Sequence, residues 1–294
     1  MYRILALILC AVVSAQAADS PRKLAYARGN NLYVAALDGS GAKKVATGVS
    51  PDLSPDGTML AFNTEDASGK TLERSIAVAD VATGKTTMLP NIPSKNCHSP
   101  VWSPDGRQLL FQIYADKDWH IGIIGADGNG FRFVKRAEAD NHSFYSVTWA
   151  PDGKGFYCQD LETIYHLNLA GALQEQWPIA KLFAHGGMSS GGRMAVSPDD
   201  GRLLVDVEMD EETARKDWDG PPPAIWSLDL STGRATRVTP KGVFAWEPCW
   251  VSGDAFLCLI QPTSAKEPSI YRVSADGKTR QPLVKNARDH SVSR

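Results

Sequence analysis

A turn signature that returns at nearly constant spacing constrains this chain more than any other feature of its sequence. Ser54-Pro55-Asp56-Gly57, Ser103-Pro104-Asp105-Gly106, Ala150-Pro151-Asp152-Gly153 and Ser197-Pro198-Asp199-Asp200-Gly201 begin at intervals of 49, 47 and 47 residues. A worn copy, Val251-Ser252-Gly253-Asp254, begins about 54 residues later. Periods of this size mark repeat architectures. The signature suits a tight turn, because proline presets φ, aspartate bonds its own backbone and glycine accepts a positive φ.

Each turn is followed by an apolar run, such as TMLAFN, RQLLFQI or GRLLVDV, and then by a second run, such as IAVADV, HIGIIGA or IWSLDLS. Short polar turns lead on to a last strand such as TTMLP or TRVTP. The unit is four short strands, here lettered a to d from the inside outward. No segment beyond the N-terminus shows a sustained helical period. Antiparallel units of this kind close radially into a propeller. Five complete units lie near 49–90, 98–137, 145–184, 192–240 and 246–285. Residues 22–48 hold a sixth that lacks strand a, with KLAYAR, NLYVAAL and KKVAT as strands b, c and d. The tail NARDHSVSR has the length of the missing strand and echoes DNHSFYSV, which enters strand a elsewhere. The expected fold is therefore an all-β, six-bladed β-propeller over 22–294, closed by its C-terminal tail. Closure of this kind removes the open edges of the terminal sheets. Trp102, Trp149 and Trp250 end their a strands and are expected to pack between blades.

The first 17 residues read as a secretory signal peptide: Arg3, an apolar core from Ile4 to Val13, and a small-x-small site at Ala15-Gln16-Ala17. The apolar run is too short to span a bilayer. A periplasmic or secreted location is expected, with Cys10 leaving in the leader. Export makes a cross-strand disulfide between Cys249 and Cys258 conceivable, with two buried thiols as the alternative. The net charge is −2 and no basic block occurs, which argues against a nucleic-acid partner.

The strings PDLSPDGTMLAF, PVWSPDGRQLLF and VTWAPDGKGFYC, with IYRVSADGKTRQPLV downstream, resemble the TolB-type, WD-like (PD40) propeller repeat over nearly all of the mature chain. A weaker resemblance links them to the propellers of oligogalacturonate lyases and prolyl peptidases. The TolB resemblance implies an interaction module of the bacterial envelope. The lyase resemblance implies an acidic oligosaccharide as the bound molecule. No Gly-x-Ser-x-Gly elbow, Cys-x-x-Cys, phosphate loop or His-Glu-x-x-His motif is present.

In a propeller the b–c loops and d-to-a crossings share one face, and the a–b and c–d turns share the other. His98, His142 and His185 lie at or near d-to-a crossings, and Glu247 lies at the matching entry of the last unit. Three imidazoles and a carboxylate form a candidate site for a divalent metal such as manganese or zinc. The alternative is structural hydrogen bonding between blades. The same face carries ADKDW at 115–119 and the longest loop, 208–223. Trp119, Trp218, Arg215, Asp217 and Asp219 are the candidate ligand-binding residues, because long loops and half-exposed aromatics favour binding. These features predict an exported, non-catalytic propeller that binds an envelope protein or peptide. The alternative is an oligogalacturonate lyase-like or metal-dependent sugar-binding protein.

Overall fold

A computed structural model describes residues 22–137, 143–210 and 215–294. The signal peptide expected at 1–17 lies outside them. The first blade contains β1 (Lys23–Arg28), β2 (Asn31–Ala36) and β3 (Lys43–Thr47). The second contains β4 (Val49–Leu53), β5 (Met59–Asp66), β6 (Glu73–Asp80) and β7 (Thr86–Met88). The third contains β8 (Cys97–Trp102), β9 (Gln108–Ala115), β10 (Asp118–Gly125) and β11 (Arg132–Lys135). The fourth contains β12 (Tyr145–Trp149), β13 (Gly155–Gln159), β14 (Thr163–Asn168) and β15 (Leu173–Pro178), followed by the one-turn α1 (Ile179–Leu182). The fifth contains β16 (Gly186–Gly187), β17 (Met194–Val196), β18 (Arg202–Met209), β19 (Pro223–Asp229) and β20 (Ala235–Arg237). The sixth contains β21 (Ala245–Ser252), β22 (Ala255–Ile260), β23 (Ser269–Ser274) and β24 (Arg280–Val284), after which β25 (Arg288–Val292) ends the chain's strands.

Six antiparallel sheets form a β-propeller, as the repeat predicts. The tail closes the ring: β25 pairs with β1 and completes the order β25-β1-β2-β3, with Leu24 opposite Val292 and Tyr26 opposite His290. The tail is also bonded to the second blade, because the Leu53 amide donates to Ser291 Oγ at 2.9 Å and the Ser50 amide to Asp289 Oδ2 at 3.1 Å. In the fifth blade the inner strand is split, and β16 and β17 both pair with β18. The residues between them account for the long gap from His185 to Ser197.

The turn chemistry follows the sequence. Ser54 Oγ donates to Asp56 Oδ1 at 2.6 Å, the Thr58 amide donates to the same oxygen at 3.0 Å, and Gly57 sits at φ 66°. The fifth blade differs: its extra aspartate, Asp200, takes the left-handed position at φ 55°, which Gly57, Gly106 and Gly153 hold in the three Pro-Asp-Gly copies. Asp tolerates this region better than most side chains do.

The core lies between blades. The indole N–H groups of Trp102, Trp149 and Trp250 each donate at 3.0 Å to a carbonyl of the preceding blade's inner strand, namely Asp52, Val101 and Ala195. Each of these tryptophans therefore buries a large ring and spends its one polar atom on a neighbour.

The conceivable Cys249–Cys258 disulfide does not form, and both thiols are free. Cys249 faces Leu257 in the β21–β22 register, so Cys258 lies one residue farther on. Successive residues of a strand point to opposite faces of its sheet, which sends the two sulfurs apart. Among the described residues no helix is long and apolar enough to cross a membrane.

Candidate functional site

Five inner strands carry the same irregularity. Ser50, Ser99, Ser146, Glu247 and Asp289 all have positive φ, between 43° and 57°. Each sits where the pairing slips against the second strand of its blade. These are β-bulges, which re-aim a side chain at a cost in backbone strain. In the fifth blade Arg193 holds the matching place, directly before Met194 as Ser99 comes directly before Pro100. The propeller axis is therefore ringed by hydroxyls over blades two to four, and by Arg193, Glu247 and Asp289 over blades five, six and one.

Buried polar side chains of the second strands hold these bulges. Asn63 Oδ1 accepts the Ser99 amide at 2.8 Å. Asp206 accepts two amides at 3.1 Å, that of Arg193 in its own blade and that of Glu247 in the next. Gln159 Nε2 donates to Ser146 Oγ at 3.1 Å.

The inner strands enclose an axial cavity of about 440 Å³. Its walls run from Ser99, Ser146 and Arg193 to Pro55, Pro104, Pro151 and Pro198 of the a–b turns, with Arg22, Arg294 and His290 also lining it. The space lies on the a–b side of the ring, away from the long loops. Arg193 Nη1 donates to the His290 carbonyl at 3.2 Å, and its charge acts on Glu247, Asp289 and Asp52. Burial raises the Glu247 pKa to about 8, against the pull of Arg193 and with Asp289 and Asp206 adding to the rise. Glu247 Oε2 is enclosed without a hydrogen-bond partner. Burial likewise raises Asp52 and Asp206 to about 6, and lowers His290 to about 3 with help from Arg193.

The histidines named from the sequence occupy different places. His98 precedes the bulge and lies among outer-loop residues. Its Nε2 is 3.3 Å from Arg74 Nη1 and 3.1 Å from the Asn96 amide group, and its ring meets Trp119 edge-on at 5.0 Å. A guanidinium can only donate, so Nε2 accepts from Arg74 and the ring proton sits on Nδ1. The Asn96 side chain is then better satisfied with its NH2 turned toward the ring. Burial, and then Arg74, push the His98 pKa down to about 4. Arg74 is held in turn by Glu65 at 2.8 Å. His185 is exposed, and its carbonyl accepts the Asp210 amide at 3.1 Å. His142 lies outside the described residues. Of this set only Glu247 belongs to the axial ring.

The five candidate binding residues divide into two clusters. Trp119 packs with Tyr114 at 5.3 Å and with His98 in the third blade. Trp218 packs on Phe244 and Trp246, both at 5.3 Å, while Arg215 lies 4.3 Å from the Phe244 ring centre. Arg215 Nη1 donates to the Gln261 carbonyl at 2.7 Å, and Asp217 Oδ2 accepts the Ser264 amide at 2.7 Å. Arg215, Asp217 and Trp218 thus fasten the fifth blade's loop to the sixth blade. Asp219 is exposed.

The axial set of Arg193, Asp289, Asp52 and Asp206 escaped the sequence reading, although a signal existed. Ser50, Ser99, Ser146, Arg193 and Glu247 each stand four residues before the start of a turn signature.

No family model and no curated protein matches the sequence. Solved structures do match the fold. TolB from Acinetobacter baumannii aligns with a TM-score of 0.70 at 18% identity, over 94% of this chain and 67% of that one. A putative TolB from Agrobacterium tumefaciens gives 0.60 at 15% identity, over 90% and 88%. A chain of the Nidogen/Laminin complex gives 0.67 at 11% identity, over 93% and 98%. At such identities the likeness is one of fold.

Proposed function

We propose that this chain is an exported, non-catalytic propeller whose axial cavity receives a peptide segment of an envelope protein. The observation that carries this reading is the cavity itself. It is a walled space of about 440 Å³ in which Arg193, Ser99 and Ser146 offer donors among apolar and proline surfaces. That mixture suits a peptide with one or two polar anchors. The likeness in fold to TolB and to a chain of a two-protein complex supports the same class of function. The signal-peptide pattern in the sequence of residues 1–17 supports export. Trp119, Tyr114 and Asp219 on the other face give a larger partner a second place to touch.

Site-specific photo-cross-linking in whole envelopes tests the assignment. A cross-linker at Pro104 or Pro151 is expected to yield a defined adduct that Arg193→Ala weakens. One at Asn129, on a c–d turn, is expected to yield none. Adducts arising only from the Asp219 or Trp119 positions would move the site to the loop face and overturn the axial reading.

A further inference from the structure

The six interfaces between blades are not filled alike. Trp102, Trp149 and Trp250 plug three of them. Where the fifth blade meets the fourth, Val196 takes the tryptophan position, and Tyr157, Trp177 and Phe183 fill the space. Where the first blade meets the sixth, Tyr26 and Trp246 serve. Between the first and second blades the tryptophan position is Leu53. Five of the ten buried residues there are alanines, and Phe62 is the single aromatic. The surface between these two blades carries a cleft of about 490 Å³.

Val34, Val45 and Val81 form its apolar floor, and Ala36 and Ala82 stand exposed at its sides. Arg22, Lys23 and Lys43 line it as well. Among the described residues Lys23 Nζ donates to the Gly57 carbonyl at 2.9 Å and to no carboxylate. Among the described residues neither Arg22 nor Lys43 has a carboxylate partner. The one acid of the cleft, Asp80, has Oδ1 turned into its own loop, bonded to the Thr83 amide and hydroxyl at 2.7 and 2.8 Å. A chain of net charge −2 thus presents a local excess of positive charge around an apolar cleft.

We propose that this cleft docks an acidic segment of a partner protein that carries one bulky apolar side chain. The side chain packs on the valine floor between Ala36 and Ala82, and flanking carboxylates meet the cations. Lys23 and Lys43 lie two strands apart, on β1 and β3, which separates their backbones by about 10 Å. Two carboxylates spaced along a peptide match that separation, whereas a single anionic group does not. The cleft shares Arg22 with the axial cavity, and its other lining residues are its own.

The test is a titration of the isotope-labelled mature protein with the peptide acetyl-Glu-Phe-Glu-Glu-amide, followed by amide chemical shifts. Shifts are expected at Val34, Ala36, Val45 and Ala82. Affinity is expected to fall about tenfold when the peptide's Phe becomes Ala. It should fall roughly threefold or more in Lys43→Glu, and further with added salt. Ala36→Trp, which fills the cleft from an exposed position, should abolish the shifts. If that variant does not fold, Lys43→Glu decides the matter. Shifts confined to the axial cavity, or binding indifferent to both the peptide's Phe and Lys43, would overturn the proposal.

Discussion

Arg193 donates through Nη1 to the carbonyl oxygen of His290 at 3.2 Å, joining the fifth blade to the first past the sixth. Glu247 of that sixth blade shares the cluster, and burial raises its pKa to about 8. The folded protein therefore keeps a proton on Glu247 that the unfolded chain has released. Between the ordinary carboxylate pKa and about 8 the native state binds the extra proton, so stability falls as pH rises through that range. Asp52 and Asp206 act in the same sense only up to about 6. His98 and His290, lowered to about 4 and about 3, act in the opposite sense below 6.5. From pH 6.5 to 8 Glu247 dominates, and the loss should reach roughly 1–2 kcal/mol. Thermal melts should show a falling midpoint across this interval in the native chain and a flat one in Glu247→Gln. A flat native profile would refute the assignment.

Trp102 should be among the costliest positions to truncate. Trp102→Ala removes a ring that is 4% exposed, and is expected to cost about 3–5 kcal/mol in urea unfolding. Trp102→Phe keeps most of the volume but leaves the Asp52 carbonyl without its donor, at a cost of about 1–3 kcal/mol. A Phe variant as stable as the parent would mean that the indole hydrogen bond contributes nothing.

The tail is held by side chains as well as by its ladder. Ser291→Ala leaves the buried Leu53 amide unpaired and should cost about 1–3 kcal/mol. Ser190→Ala, at an exposed position, should stay within about 0.5 kcal/mol of the parent. Equal effects from the two would show that the clamp between tail and second blade is dispensable.

A metal held jointly by His98, His142, His185 and Glu247 would have to displace Arg74 from His98 Nε2 or use Nδ1 instead. Calorimetric titration with manganese and with zinc at pH 7.5 is expected to show no binding that depends on His98. One-equivalent binding lost in both His98→Ala and His142→Ala would restore the metal centre.

The blade pattern was legible because the turn recurs in register, and because KLAYAR and NARDHSVSR each matched a known part of the unit. The Trp102 class could be placed between blades for the same reason. The axial site was harder to see because its residues share a position and not a type. Serine, arginine and glutamate occupy matching places four residues before a turn signature, and Asp289, in the tail, has no such turn after it. Of the histidines, His98 and His185 lie near the crossings but outside the axial ring. His98 is one residue from the ring, and in a strand one residue reverses the direction of the side chain. The packing of Arg215 and Trp218 onto Phe244 was not readable, since Phe244 lies in another unit and nothing in the local sequence marks it as a partner.

The bond from the Lys23 amide to Ser293 Oγ spans 270 positions of sequence. A ribosome makes β1 first and its inner partner last, so the first blade waits, with an open edge, while every later blade is completed. Assembly then ends in a single closing event and not in a steady accumulation. Chains that stop short of β25 are expected to be recognised as unfinished by proteases, however well their middle blades have formed.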